Sequence, residues 1–271
     1  QRKNIFSLSF WKMIGDILRF NEDSRKRVRE GRLKGVSLGQ YLREGNFSKP
    51  FIQNYVIAMG AAIWSSSPQQ MLDFPAENFI RFFENHGLLT FKDRPQWQSV
   101  VGGSQSYVKA FLKGFKGKVH VNAGVRNIRR SDKQVLVRRE NGEETFDKVV
   151  IASHADEALQ LLADPSKEES RLLGAWSYTQ NHTVLHTDAS VMPPIRRAWA
   201  SWNYVQEASM SSSRNRGSDS RLGGHDSGVS VSYHMNRLQG LKTEKQYFVT
   251  LNRKTPIPKD CVLKEIHYTH P

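Results

Sequence analysis

The sequence predicts an α/β chain, and three observations carry that prediction. The stretch Pro95–Leu162 orders a Gly-Gly turn opening a helix, a short strand, a strand pair closed at Asn141-Gly142, and an apolar strand ending in Ala-Ser-His. Ahead of it, residues 1–94 carry helical apolar spacing over most of their length. Behind it, residues 164–271 alternate helix-like and strand-like runs. The expected organisation is a helical part at 1–94, an α/β part at 95–163 and a sheet-rich part at 164–271.

Taken in order, Phe10–Arg29 places Phe10, Met13, Ile14, Ile17, Leu18 and Val28 on one side of a helix. Ser37 caps a short helix, SLGQYLREG, which Gly45 stops. Pro50 opens FIQNYVIAMGAAIW, apolar nearly all round and so expected to be a buried helix. Ser65–Pro68 reads as a break. Pro75 then starts AENFIRFFENHG, with Phe79, Ile80, Phe82 and Phe83 turned inward and Gly87 as its stop. The run Val149-Val150-Ile151-Ala152 is apolar without alternation, the pattern of a central parallel strand buried on both faces. Its end at Ser153-His154 falls where α/β sheets place ligands. Lys167–Leu173 is expected as a short helix. Strands are expected at Thr183–His186, Arg197–Tyr204, Val229–Tyr233, Tyr247–Leu251 and Val262–Tyr268. The Ser/Gly/Arg-rich segment 209–228 has almost no apolar residue to repay its ordering entropy and is expected to be a flexible insert.

Composition sets the limits on function. At 38% hydrophobic and 10% aromatic residues the chain supports a packed core and is not generally disordered. Its 271 residues suffice for one large domain or two ordinary ones. The single cysteine, Cys261, excludes an intrachain disulfide framework and any metal site of paired cysteines, so a reducing, cytoplasmic compartment is expected. No run reaches the roughly eighteen apolar residues of a membrane-spanning helix. Gln1 is not a methionine and no signal-peptide cleavage site follows it. The expectation is an internal portion of a larger protein or a truncated gene product.

Forty Lys and Arg against 26 Asp and Glu give a net charge of +14. The cations are scattered, as in Arg25–Lys34, Arg126–Arg130 and Arg138-Arg139, without zinc-finger spacing, an aromatic RNA-binding strand or a basic region ahead of heptads. No nucleic-acid partner is expected. A solvated basic surface, able to touch an anionic membrane peripherally, is the simpler reading.

His182 and His186 face one side of a strand, but four residues of rise separate them too far for one metal, and no third ligand is near in sequence. No metal is expected. Gly103-Ser104 lacks the strand–turn–helix elbow of a serine hydrolase. Trp199, Trp202 and Tyr204 alternate imperfectly and either line an apolar cavity or fill a core.

Three segments together, Gly60–Leu89, Arg94–Val108 and Val149–Pro165, resemble the flavin-containing amine oxidoreductase superfamily of amine oxidases and phytoene-desaturase-like proteins. Within it the chain is similar to NAD/FAD-binding oxidoreductases of bacteria and to the domain fused ahead of plant cyclopropane-fatty-acid synthases. The later segments Ala198–Tyr204, Met235–Gln239 and Phe248–Asn252 fit the same subgroup. The resemblance implies a partial FAD-binding, Rossmann-like domain at 95–163 and a helical-plus-mixed-sheet substrate domain formed by 1–94 and 164–271. It implies FAD contacts at Gly102, Gly103, Val125, Ala152, Ser153 and His154, the last three at the end of the apolar strand. It implies a substrate cavity shaped by Trp64, Asn181, His182, Trp199, Trp202 and Tyr204.

Two departures qualify what the resemblance implies. The strand–G-x-G-x-x-G–helix that cradles a dinucleotide pyrophosphate is absent, so this chain alone is expected to hold FAD weakly or not at all and to be inactive. Amine oxidases of the family carry a lysine near the flavin; the matching strand here puts Asn181 at that position, with His182 beside it. The leading expectation is therefore part of an FAD-dependent oxidoreductase passing hydride from an apolar or amine substrate to flavin. The alternatives are a non-catalytic scaffold that has lost its cofactor and a basic nucleic-acid-binding protein.

Overall fold

The structure, a computed structural model, describes residues 6–64, 66–90, 95–206 and 229–270; the insert expected at 209–228 lies outside the described residues. The chain divides into two units, Gln1–Ser104 with Gln180–Tyr268, and Gln105–Thr179 with Thr269–Pro271.

The first unit opens with helices. α1 (Leu8–Arg29) buries Ile17, Phe20 and Val28 and ends on Lys26, Arg27 and Arg29, cations that suit the negative end of the helix dipole. α2 (Leu38–Glu44) is capped as expected, the Ser37 hydroxyl accepting from the Gln40 N–H at 3.2 Å. α3 (Lys49–Phe51) widens into a π-helical stretch, Ile52–Ile57, and returns to α4 (Ala58–Trp64). That widened turn carries Ile52, Val56 and Ile57 into the core. The expected break after Trp64 is short: Ser66 and Ser67 are not helical, and a further helix, α5 (Pro68–Asp73), begins at Pro68. Ser67 and Gln70 cap each other reciprocally there, and Pro68 sits where its missing N–H costs nothing. α6 (Ala76–Asn85) buries Phe79, Ile80 and Phe83. It is followed by Gly87 at φ +65°, where a Cβ would lie 2.5 Å from Pro95 Cδ.

One contact ties the helices together. Asp16, buried on α1, accepts the Ser48 N–H at 2.9 Å and Arg19 Nη2 at 2.8 Å, which joins α1 to the start of α3. Burial pushes its carboxyl pKa up, but the hydrogen bonds from Ser48 and the charge of Arg19 outweigh that and leave it below the ordinary value. Around this join Phe20, Tyr41, Phe47 and Phe51 pack ring to ring at 5.1–5.9 Å.

The second unit holds α7 (Gln105–Gly114), β1 (Val125–Arg130), β2 (Val135–Arg139), β3 (Gly142–Phe146), α8 (Ala155–Leu161) and α9 (Lys167–Leu173). The strands form an antiparallel sheet in the order β1-β2-β3. The hairpin turn sits one residue earlier than Asn141-Gly142, because Arg139 pairs with Gly142. Ser166 and Glu169 cap α9 reciprocally, as Ser67 and Gln70 cap α5.

The central parallel strand expected at Val149–Ala152 is not formed. Among the described residues no neighbouring strand offers that run a ladder, and Val150 is 90% exposed. An extended apolar run has no strand geometry of its own to fall back on without such a partner. Among the described residues of this unit the one parallel bridge joins Ile128 to Leu162 instead, where the Ala163 N–H also meets Ile128 O at 2.9 Å.

The first unit resumes with β4 (Thr179–His186), β5 (Trp202–Gln206), β6 (Val229–His234), the short helix α10 (Met235–Gln239), β7 (Phe248–Leu251) and β8 (Val262–His270). They form a five-stranded sheet in the order β5-β6-β7-β4-β8. The strand expected from Arg197 begins only at Trp202, since Arg196–Ala198 form a 3₁₀ turn and the Trp199 Nε1–H donates to Pro193 O at 2.8 Å. Helices with two antiparallel sheets give an α+β arrangement. Among the described residues, no helix is long and apolar enough to cross a membrane.

Candidate functional site

The register of the five-stranded sheet sorts the candidate cavity residues onto two faces. Trp202 pairs with Tyr233 and on to Val249 and Leu185; Tyr204 pairs with Val231, Leu251 and Thr183. Directly paired residues share a face, so Trp202, Tyr204, Tyr233, Thr183 and, two residues earlier on β4, Asn181 lie together. α4 covers this face: the Tyr233 hydroxyl donates to Ala62 O at 3.4 Å. Burial raises the pKa of the Tyr204 hydroxyl, which keeps that group protonated.

Trp64, at the end of α4, packs against Phe74, Phe79 and Phe82 at 4.8–5.6 Å between ring centroids. From Phe82 the rings continue through His86 at 3.9 Å, then Trp97 at 5.9 Å, and reach Trp202 at 5.8 Å. A continuous aromatic path therefore links the helical cover to the face carrying Trp202. His86, Trp97 and Tyr233 were missed in the sequence because the path runs between elements far apart in the chain. Only their residue type, aromatic in an otherwise polar stretch around Trp97, could have marked them.

Polar groups on this face are few. Asn181 is 1% exposed, and its Oδ1 accepts from Asn252 Nδ2 at 2.8 Å. Asn252 stands at φ +55°, and its own N–H and Oδ1 bond both backbone groups of His182, at 2.8 and 3.0 Å. The Thr183 hydroxyl is buried without a hydrogen-bond partner among the described residues. An unmatched buried hydroxyl costs free energy that a bound polar group would relieve.

The remaining cavity candidates lie elsewhere. His182 falls on the opposite face from Asn181, because successive residues of a strand point to opposite sides, and its ring bonds Glu265 of β8. Trp199 packs on that opposite face with Phe248 and His234, at 5.9 and 5.4 Å, so of its two open readings it fills a core. The same face carries a buried polar row. The Asp188 N–H donates to His186 Nδ1 at 3.1 Å, so the proton of the neutral ring sits on Nε2, which donates to Thr250 Oγ1 at 2.8 Å; Ser232 Oγ lies a further 2.8 Å on. Burial lowers the His186 pKa.

Of the candidate cofactor residues, Gly102 and Gly103 adopt φ +81° and +78°, as a turn closed to side chains requires, and the Gly103 N–H donates to Val100 O at 3.0 Å. In the second unit Val125 begins β1, half-buried. Ala152 and Ser153 are exposed, and His154 precedes α8. The His154 ring stacks on Tyr178 at 5.1 Å, while the Ala155 N–H donates to Tyr178 Oη at 2.7 Å. These residues do not make a complete dinucleotide site. The apolar strand meant to present Ala152 and Ser153 is unpaired, and no glycine-rich strand–loop–helix stands among the described residues to hold a pyrophosphate.

Two surface grooves lie away from all of these positions. One, of about 740 Å³, runs along α1 past Asn21, Arg25 and Leu89; the other, of about 430 Å³, is framed by Arg126, Arg129, Arg138 and Arg139.

Residues 17–191, more than half of the chain, match the family described as flavin containing amine oxidoreductase. No curated protein sequence matches the chain. Among solved structures the fold is similar to that of a CLA-producing fatty acid isomerase from P. acnes, with a TM-score of 0.58 and 14% sequence identity. That likeness covers 97% of this chain and 62% of the isomerase.

Proposed function

The chain belongs to the flavin-containing amine oxidoreductase family, and from that premise we propose that it is the substrate-shaping part, with a portion of the cofactor-binding part, of an FAD-dependent oxidoreductase. The reaction proposed is removal of hydride from an apolar or amine substrate. One observation carries the reading: within a single unit, α4 lies over a sheet face furnished with Trp202, Tyr204 and Tyr233. Such a layer offers flat apolar walls and few polar groups, which suits a substrate recognised by shape.

The chain's own residues favour an apolar substrate over lysine-assisted amine oxidation. Asn181 cannot take up a proton near neutral pH, and its carboxamide is already committed to Asn252. His182 is turned to the other face and held by Glu265. Among the described residues Thr183 supplies the one buried, unpartnered hydroxyl of the aromatic face, and its proposed role is to orient the substrate. FAD binding by this chain alone is not part of the proposal, since no pyrophosphate cradle stands among the described residues.

The test is the visible absorption spectrum of the protein made from its complete reading frame, beside the 271-residue chain mixed with FAD. Flavin bands that co-purify with the former and not with the latter are expected. A folded complete protein without flavin contradicts the oxidoreductase reading and favours a scaffold that has lost its cofactor.

A further inference from the structure

β8 is the outer strand of the five-stranded sheet and lies next to β4. The two run antiparallel, since the Thr187 N–H donates to Cys261 O at 3.0 Å while Thr179 Oγ1 meets His270 O at 3.3 Å at the other end. Midway along this pair His182 of β4 meets Glu265 and His267 of β8. The two imidazoles stack with centroids 4.5 Å apart and planes 13° from parallel, and the His182 Nε2 is bonded to the Glu265 carboxylate. One ligand atom from each of the three residues lies within 4.8 Å of the other two, and among the described residues it is the one such cluster of three.

We propose that His182, Glu265 and His267 form a binding site for a divalent transition metal of the zinc, nickel or copper type. The donor set is the first reason: two imidazole nitrogens and one carboxylate oxygen suit these metals, whereas magnesium and calcium take oxygen alone. The second is geometry. Ligand atoms around a tetrahedral zinc with bonds of roughly 2.0–2.1 Å stand about 3.3 Å apart. Glu265 and His267 are exposed, so small side-chain rotations lead from the present arrangement to that one. The third is positioning, because the Asn252 side chain and N–H bond both backbone groups of His182 and fix the strand that presents its ring. Three protein ligands leave a fourth position to water, and the bound metal ties the outer strand to its neighbour.

Spacing along one strand could not reveal this site. His182 and His186 stand four residues apart on one face of β4 and lie in different surroundings, while the partners of His182 come from a strand some eighty residues later.

Zinc titrated into the 271-residue chain against a chromogenic chelator tests the proposal, with circular dichroism to confirm folding of each variant. One equivalent is expected to bind the unmodified protein, with affinity lowered about tenfold or more in His267→Ala and in Glu265→Gln. His120→Ala, in the other unit, should bind as the unmodified protein does. With copper(II) as the probe, electron paramagnetic resonance should show two coordinating nitrogens, reduced to one in His267→Ala. Absence of one-equivalent binding, or unchanged zinc affinity in folded His267→Ala, overturns the assignment.

Discussion

α6 and α7 are both ten residues long, and both carry a one-sided apolar stripe. α6 buries its stripe: Phe79, Ile80 and Phe83 are sealed among the helices of the first unit. α7 buries nothing, and Tyr107, Phe111 and Phe115 stand in solvent, Phe111 at 64% exposure. Isolated helices of this length are marginal in water, so tertiary cover decides whether such a stripe stabilises anything. The first unit carries a large core; the second buries only a few apolar residues, Ile128, Val137 and Ala158 among them, and adds local devices such as the α9 capping box and the pairing of Arg130 with Asp164 and Glu169. Sequence amphipathicity states what a segment is able to bury, and only the surrounding chain determines whether it does.

The sharpest way to break this contrast is to truncate matched aromatic residues. Phe79→Ala should cost about 3–5 kcal/mol by urea unfolding, because it empties a closed space beside Trp64 and Phe83. Phe111→Ala, its counterpart on α7, should stay within about 0.5 kcal/mol. Equal costs would mean that α7 is covered in solution.

Asp16→Ala removes a buried acceptor and strands the Ser48 N–H, at an expected cost of about 1–3 kcal/mol. Its pKa is lowered in the fold, so the stabilisation it provides is present above the ordinary carboxylate value and is lost as pH falls through the folded one. Acid unfolding of Asp16→Asn should therefore show less pH dependence at the low end than that of the unmodified protein.

His186 acts over a different range. Burial lowers its folded pKa, so the unfolded chain binds the extra proton. Stability should hold above the ordinary value of about 6.5 and fall as pH drops below it. Urea midpoints at pH 8 and pH 5 should differ less in His186→Gln than in the unmodified protein.

The smallest effects should not distinguish the units at all. Ser37→Ala and Ser166→Ala each remove a helix cap and should each cost about 1 kcal/mol in the unit that contains them. Caps are local and do not need a core. Hydrogen exchange within α2 and α9 checks this directly.

Much of the first unit was legible in the sequence because its signals are local. Ser37 and Gly45 stand at the two ends of α2, Pro75 and Gly87 stand just outside the ends of α6, and β6 and β7 fall within a residue of their apolar runs. α5 was legible too, since Ser67-Pro68 followed by Gln70 is a capping-box start that closes the break after Trp64. What could not be read was non-local. Whether Val149–Ala152 pairs depends on neighbouring strands. Whether Asn181 and His182 share a cavity depends on strand direction, which turns one inward and the other toward β8. The unpartnered Thr183 hydroxyl and the company of His182 appear only once strands distant in sequence lie side by side.

The most direct test of the contrast between the two units is hydrogen–deuterium exchange on the 271-residue chain, read by mass spectrometry at peptide resolution. Slow exchange is predicted in peptides covering α6, β6 and β7, governed by global opening of the first unit, with α7 and Val149–Ala152 exchanging far faster. Protection of α7 equal to that of α6 would contradict the account, because it would show the α7 stripe to be packed against a core.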